Sequence, residues 1–505
     1  MSTPTHPLLY QVNPRVWVAL LSKQLNRSAT LDDIPDAALD EIANLGFDWV
    51  YFLGVWQTGE AGRSVSLSNP VWLEEYRLLL ADFSEEDVYG SCFAIKAYAV
   101  SDRLGGNAAL ERLRDRLHQR GLKLMLDFVP NHMAPDHAWV QTHPEFFVQG
   151  TEEWLEREPQ NYCRMALPQG EYIFAYGRDP YFSGWPDTLQ LNYGNPAVQK
   201  AMLNELQSIA QLCDGLRCDM AMLILPEIFQ HTWGISIEPF WQSAIQKVQY
   251  QQPDFIFMAE VYWDLEWTLQ QCGFDYTYDK QLYDRLREQQ AEPVRNHFWA
   301  DLDYQNKLAR FLENHDEARA ANAFPPDVHQ AAAILTFLSP GLRFFHQGQL
   351  EGFQHKISVH LQRGPIEPID PQFYTFYRQL LNCLRLPILR QGTWQLLDCT
   401  PAWENNQTWK DFISFVWEDA AGNKLLAIVN YAPHQSQCYV TLPDDSLAGN
   451  NLAGNNLAGK IYHLKDLMSP VVYERSGDSL VSGLYFDLPA WGYHVFDIQP
   501  LFETL

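Results

Sequence analysis

Four short polar clusters interrupt otherwise apolar runs: Asp127 to His132 (DFVPNH), Arg217-Cys218-Asp219, Glu260 directly after Phe257-Met258-Ala259, and Asn314-His315-Asp316. A charge that ends an apolar run is costly to desolvate unless it is paired or used. Any one of these clusters reads equally well as a buried ion pair or a helix cap. Four together, each at a strand end, point to a reaction site. The chemistry that needs such a set is cleavage of a glycosidic bond. With retention, one carboxylate attacks the anomeric carbon and a second, roughly 5 Å away, protonates the leaving oxygen. Asp219 suits the nucleophile and Glu260 the acid/base. Arg217, two residues before Asp219 and so on the same face of a strand, would keep that carboxylate ionised and aimed.

The elements that would position these groups are short apolar strands alternating with helix-period stretches. Trp49–Val55, Leu122–Val129, Gly215–Met220, Phe255–Val261, Ala309–Glu313 and Gly341–His346 read as buried parallel strands. A first strand at Tyr10–Trp17 and another near Phe274–Tyr278 bring the count to eight. The fold class expected is α/β, a (β/α)8 barrel whose reacting groups stand at the C-terminal strand ends. From Asp219 to Glu260 is 41 residues, one β/α unit, whereas from His132 to Asp219 is 87. An inserted subdomain at about 133–195, after the third strand, accounts for the excess. Beyond residue 391 the pattern changes to alternation and turns, as in WKDFISFVWE and QCYVTLP. Residues 1–391 are therefore expected to form the catalytic barrel and 392–505 an antiparallel β-sandwich. The fivefold-period patch SLAGNNLAGNNLAGK at 446–460 reads as an expanded surface loop.

On these residues the chain resembles the α-amylase family of glycoside hydrolases over about residues 8–390. DFVPNH (127–132), GLRCD (215–219), AEVYW (259–263) and FLENHD (311–316) resemble, in order, the motifs at its third, fourth, fifth and seventh strands. The resemblance implies Asp219 as nucleophile, Glu260 as acid/base and Asp316 as a third carboxylate that binds and distorts the sugar being cleaved. It implies that His132 and His315 bind hydroxyls of that sugar. GSCFAIKAY (90–98) aligns with the second-strand loop, which usually carries a stacking tyrosine and here offers Phe93.

Two departures from the family pattern bear on function. Many amylases follow the nucleophile with a Lys-His pair that contacts leaving-group sugars; here Met222 and Leu223 stand there. The usual calcium site draws on an Asn of the third-strand motif, here Asn131, and on an Asp before the fourth strand, where Gln190 stands instead. Calcium prefers carboxylates, so no structural calcium, and no cofactor or other metal, is expected. Asn131 is also a candidate for contact with substrate. Among the 17 tryptophans most would serve packing; Trp56, Trp185 and Trp263 are candidate sugar platforms.

Composition narrows the partners. The 505 residues are 47% apolar, with a formal net charge of −26, which opposes binding to a phosphate backbone. The first residues lack the basic-then-apolar pattern of a secretory leader, and no run reaches bilayer-spanning length. Eight cysteines without a C-x-x-C pair suit a reducing cytoplasm. The partner expected is a small carbohydrate, with neither nucleic acid nor membrane. The first reading is hydrolysis of a short α-glucoside: a maltooligosaccharide, a disaccharide or a compatible solute such as glucosylglycerol. Rival readings on the same scaffold are a glucosyltransferase or transglycosylase, a sugar phosphorylase, a starch- or glycogen-degrading α-amylase, and a binding protein without catalysis.

Overall fold

In a computed structural model, residues 4–443, 457 and 459–501 are described; the repeat at 446–460, but for Leu457, Gly459 and Lys460, lies outside them. Eight parallel strands close a barrel: β1 (Leu8–Val12), β2 (Trp49–Phe52), β3 (Lys123–Phe128), β4 (Gly215–Cys218), β5 (Ile256–Ala259), β6 (Tyr276–Tyr278), β7 (Leu308–Arg310) and β8 (Leu342–His346). Their residues are almost wholly buried, as strands covered on both faces must be. The first strand is shorter than its sequence suggests. Asn13 caps a helix led by Pro14 and accepts the Val16 N–H, so the apolar run continues as helix Pro14–Leu25 rather than as strand.

The register places the site. Arg217 of β4 lies level with Asp127 of β3 and with Met258 of β5. Asp219 and Glu260 thus follow the ends of adjacent strands. The excursion after β3 holds a hairpin, Tyr162–Leu167 with Gly170–Ala175, and two short helices. Its two ends are tied where His132 pairs with Gln190. The loop after β2 is more ordered than its irregular sequence implies. It carries helices Glu60–Ser68 and Pro70–Leu79, the second capped by Asn69.

From Thr393 the chain forms antiparallel sheets of six and three strands. Phe412, Leu426 and Phe496 of the larger sheet share a core with Cys438, Val440 and Phe486 of the smaller, which makes a sandwich. Compactness groups the chain differently from its architecture. One unit comprises residues 1–8, 279–354 and 368–505, the other 9–278 and 355–367. Within the first, the Trp417 indole donates to the Leu338 carbonyl (2.7 Å) and the Tyr431 hydroxyl to that of Leu286 (2.7 Å). These buried bonds join sandwich strands to barrel helices, which is why no compact boundary falls near residue 391.

Candidate active site

Within the unit spanning 9–278, one guanidinium organises the polar cluster. Arg217 has no exposed surface; its Nη1 stands 2.6 Å from Asp219 Oδ1 and its Nη2 2.6 Å from Glu260 Oε2. A third carboxylate, Asp127, lies 3.5 Å from Nη1. Asp127 is itself held by the Tyr51 hydroxyl (2.5 Å) and the Gly54 N–H (2.7 Å). Glu260 accepts the Met220 N–H at Oε2 (2.8 Å) and the Tyr262 hydroxyl at Oε1 (2.9 Å). The Phe93 ring lies under the guanidinium, 5.1 Å from its central carbon.

The electrostatics differ from the simple expectation that Arg217 keeps Asp219 ionised. Burial, reinforced by the Glu260 charge, pushes the Asp219 carboxyl up to about 8 against the pull of Arg217. One guanidinium faces three buried carboxylates, so it cannot neutralise them all. Asp219 and Glu260 share its two ends, and the Asp219 carboxyl, so raised, retains a proton near neutral pH. Cys218, between Arg217 and Asp219, points to the other face and is fully buried; burial raises its thiol well above the ordinary range, as suits packing rather than nucleophilic work.

His132 is buried, and desolvation takes its pKa down to about 3, so its imidazole is neutral at physiological pH. A neutral ring exchanges hydrogen bonds with hydroxyls at no charge-burial cost. Trp185 packs edge-on to it at 5.3 Å.

Two residues proposed from sequence are not available to a sugar. Trp56 is wholly buried, donates to the Asp127 carbonyl (2.8 Å) and packs against Tyr98; it stiffens the third strand end. Asn131 is likewise wholly buried. Its Nδ2 donates to Gln190 Oε1 (3.1 Å), while Gln190 Nε2 donates to the carbonyl and Oδ1 of Asn131 (2.9 Å each) and to the Leu191 carbonyl (3.2 Å). An amide nitrogen thus stands among oxygens of the kind a calcium ion coordinates. Among the described residues no three His, Cys, Asp or Glu side chains converge as a metal site requires.

Asp316 and His315 belong to the other unit, after β7. Their Oδ2 and Nε2 stand 2.9 Å apart, with Asp316 40% exposed and His315 buried. The loop that carries them is clamped by Glu313, whose Oε1 lies 2.9 Å from Arg319 and 3.0 Å from His346 and whose Oε2 accepts the Ala320 N–H. Against burial, Arg319 and His346 hold the Glu313 carboxyl below its usual range. Sequence reasoning passed over Glu313 and Tyr262. Tyr262 carried a signal, since it sits two residues after Glu260 and so on the same side of an extended chain.

The family model for the alpha amylase catalytic domain matches residues 91–373, more than half of the chain. The chain belongs to the α-amylase family. Its curated relatives include the alpha-amylase MalA of Haloarcula japonica, 25% identical over 264 residues, 50% of this chain and 35% of the relative. An alpha-1,4-glucan:maltose-1-phosphate maltosyltransferase of Cereibacter sphaeroides is 27% identical over 272 residues, 50% of this chain and 32% of the relative. The intracellular maltogenic amylase of Bacillus subtilis is 23% identical over 343 residues, 63% of this chain and 52% of the relative. This α-amylase-family chain thus spans between about a third and a half of those relatives' length. In fold it is similar to the noncanonic maltogenic alpha-amylase AmyB of Thermotoga neapolitana (TM-score 0.68, 16% identity, 99% of each chain). It is also similar to an alpha-amylase of Lactobacillus plantarum (TM-score 0.67, 21% identity, 97% of this chain and 98% of that one). No helix among the described residues is long and apolar enough to cross a membrane.

Proposed function

We propose that this α-amylase-family enzyme cleaves α-glucosidic bonds with retention, through a covalent glycosyl–enzyme intermediate. The observation that carries the reading is the single Arg217 fork, with Asp219 on one nitrogen and Glu260 on the other, both at 2.6 Å. Two carboxylates on one planar guanidinium favour the close spacing of retaining enzymes, roughly 5–5.5 Å, over the wider separation that admits a water in inverting ones. Glu260 gives its proton to the glycosidic oxygen as the Asp219 carboxylate attacks the anomeric carbon. Glu260, then ionised, takes a proton from the acceptor that releases the sugar from Asp219. The reaction needs a proton on Glu260 and the charge on Asp219 when the bond breaks, and Arg217 favours that charge. Asp316 and His315 are assigned to the same sugar by their motif, and His132 by motif and burial.

The substrate proposed is a short α-glucoside. Met222 and Leu223, in place of the Lys-His pair, are both buried and offer nothing polar to a long aglycone. No calcium is assigned, because Gln190 fills with an amide the place a cation would take. A cytoplasmic setting is proposed from the eight free thiols. The test is glucose release from starch, maltose, maltotriose, sucrose, trehalose and glucosylglycerol, with Asp219→Asn as blank and the anomer of the product followed by NMR. Release of the α-anomer from one small substrate supports the reading; the β-anomer, or steady digestion of starch with small substrates untouched, overturns it.

A further inference from the structure

The six-stranded sheet of the sandwich ends on strand Val472–Ser476 and the three-stranded sheet on strand Leu484–Leu488. Helix Gly477–Ser482 joins these two edge strands, which do not pair with each other. A cleft of about 110 Å³ opens between them. Tyr473 and Arg475 line it from one edge, Tyr485 and Asp487 from the other, and His494 and Phe496 from within the larger sheet. It shares no residue with the candidate active site.

The polar groups of the cleft are fixed. His494 Nδ1 stands 2.8 Å from Oδ2 of the buried Asp466. That carboxylate also accepts the Ser469 hydroxyl (2.6 Å) and the Met468 and Val495 N–H groups (3.1 Å each). Against burial, these partners hold Asp466 below the usual carboxylate range, so it stays charged and orients the imidazole. With Nδ1 engaged, Nε2 is the ring atom left for a ligand. Opposite, Asp487 Oδ1 accepts the side-chain amides of Gln435 (2.7 Å) and Gln437 (2.9 Å).

The rings are fixed as well. His494 stacks on Phe496 at 4.8 Å, and Tyr473 meets both edge-on at 6.2 and 5.8 Å. The Arg475 guanidinium lies over Tyr473 at 5.2 Å, and Tyr485 packs against Tyr439 at 5.6 Å. Yet Tyr473 remains 37% and Tyr485 49% exposed. Two tyrosines on facing edge strands give the cleft aromatic faces, with donors on Arg475 and acceptors on Asp487 set among them. A ligand that matches has flat apolar faces rimmed by hydroxyls, which is the character of a pyranose. An anion suits it less, because Asp487 and Asp466 oppose the charge of Arg475.

We infer that this cleft is a second, non-catalytic site for an α-linked glucose chain, which stacks on Tyr473 and Tyr485 and shares hydroxyls with Arg475, Asp487 and His494. The identity of the sugar rests on the α-glucoside reading of the active site; the cleft itself does not. Asp487 is the one carboxylate lining it, so it lacks the pair that cleavage requires and can only hold the chain.

The test is calorimetric titration of maltoheptaose into full-length Asp219→Asn, where the sugar is bound and not consumed. Two sites are expected. Tyr473→Ala and Tyr485→Ala, each added to that chain, should weaken one site about tenfold and leave the other within about twofold, and Tyr473→Phe should keep both. The same changes in the active chain should leave kcat/KM for maltose within about twofold. Both tyrosines are exposed enough for removal to leave the fold intact, which circular dichroism checks. Titration curves that neither alanine variant alters, or loss of both sites in both variants, overturn the assignment. Failure of the α-glucoside reading has a different signature: the active chain then turns over no α-glucoside. A single maltoheptaose site lost with Tyr473→Ala would still support the cleft, and a single site that ignores both variants would reject it.

Discussion

Two buried charge clusters, each set at barrel strand ends, differ in their balance. Around Arg217 one cation faces three carboxylates, and burial drives Asp219 up to about 8. Around Asp279, just after β6, one carboxylate faces Arg310 (2.8 Å) and His297 (3.0 Å). Against burial, His297 and Arg310 hold Asp279 below the usual carboxylate range. Burial is nearly complete in both places, so desolvation does not distinguish them. Stoichiometry does. A balanced cluster holds its charge state and serves the fold; an under-neutralised one keeps a proton that a reaction can move.

The sharpest way to break this contrast is to remove the charge of Asp219, the proposed nucleophile. Asp219→Asn is expected to lower kcat by about 10⁴-fold or more with the fold intact by circular dichroism; near-normal turnover would remove Asp219 from the mechanism. Arg217→Lys should cost roughly a hundredfold in kcat/KM, since one ammonium cannot bridge Asp219 and Glu260 as a planar fork does. Arg310→Met acts on the other cluster. It should reduce stability by about 3–5 kcal/mol in urea titration, with kcat per folded molecule nearly unchanged. A large kcat loss there would mean that the balanced cluster also serves catalysis.

The pH dependence separates the clusters with smaller effects. The Asp219 carboxyl ionises near 4 in the unfolded chain and near 8 in the folded one, so within that window the folded state binds more protons. Rising pH therefore favours unfolding, and Asp219→Asn should gain Tm over the parent as pH rises from about 4 to 8. For Asp279, lowered in the fold, the sign reverses. Its contribution is present above the unfolded value and lost as pH falls through the folded one, so the deficit of Asp279→Asn should shrink on acidification. The smallest effect expected is from chelation. EDTA should leave Tm and activity unchanged, whereas Gln190→Asp should introduce a calcium-dependent rise in Tm. A Tm drop in the parent on chelation would return calcium to the Asn131 region.

Much of the candidate site was legible because its residues lie in short segments. Arg217 and Asp219 are two apart on one strand, and Glu260 ends the next, so strand periodicity alone puts them on adjacent ends. Trp56 and Asn131 misled for a related reason. Residue type and position near a strand end do not say whether a side chain turns to the pocket or to the packing behind it. The balance of charge was equally hidden, because the approach of Asp127 to Arg217 depends on the β3–β4 register.

The amino-acid sequence by itself determined the alternation of strands and helices, the placing of the excursion after β3, the antiparallel module after about residue 392 and which carboxylates are the candidates for the reaction. These follow from local periodicity, and local periodicity is written in consecutive residues. Only the tertiary structure decided which carboxylates share Arg217, that the Asn131 and Gln190 amides bond each other, and that Tyr181 meets Trp263 across 82 residues of chain. Such contacts depend on where an irregular loop folds back, and no period in the sequence encodes that return.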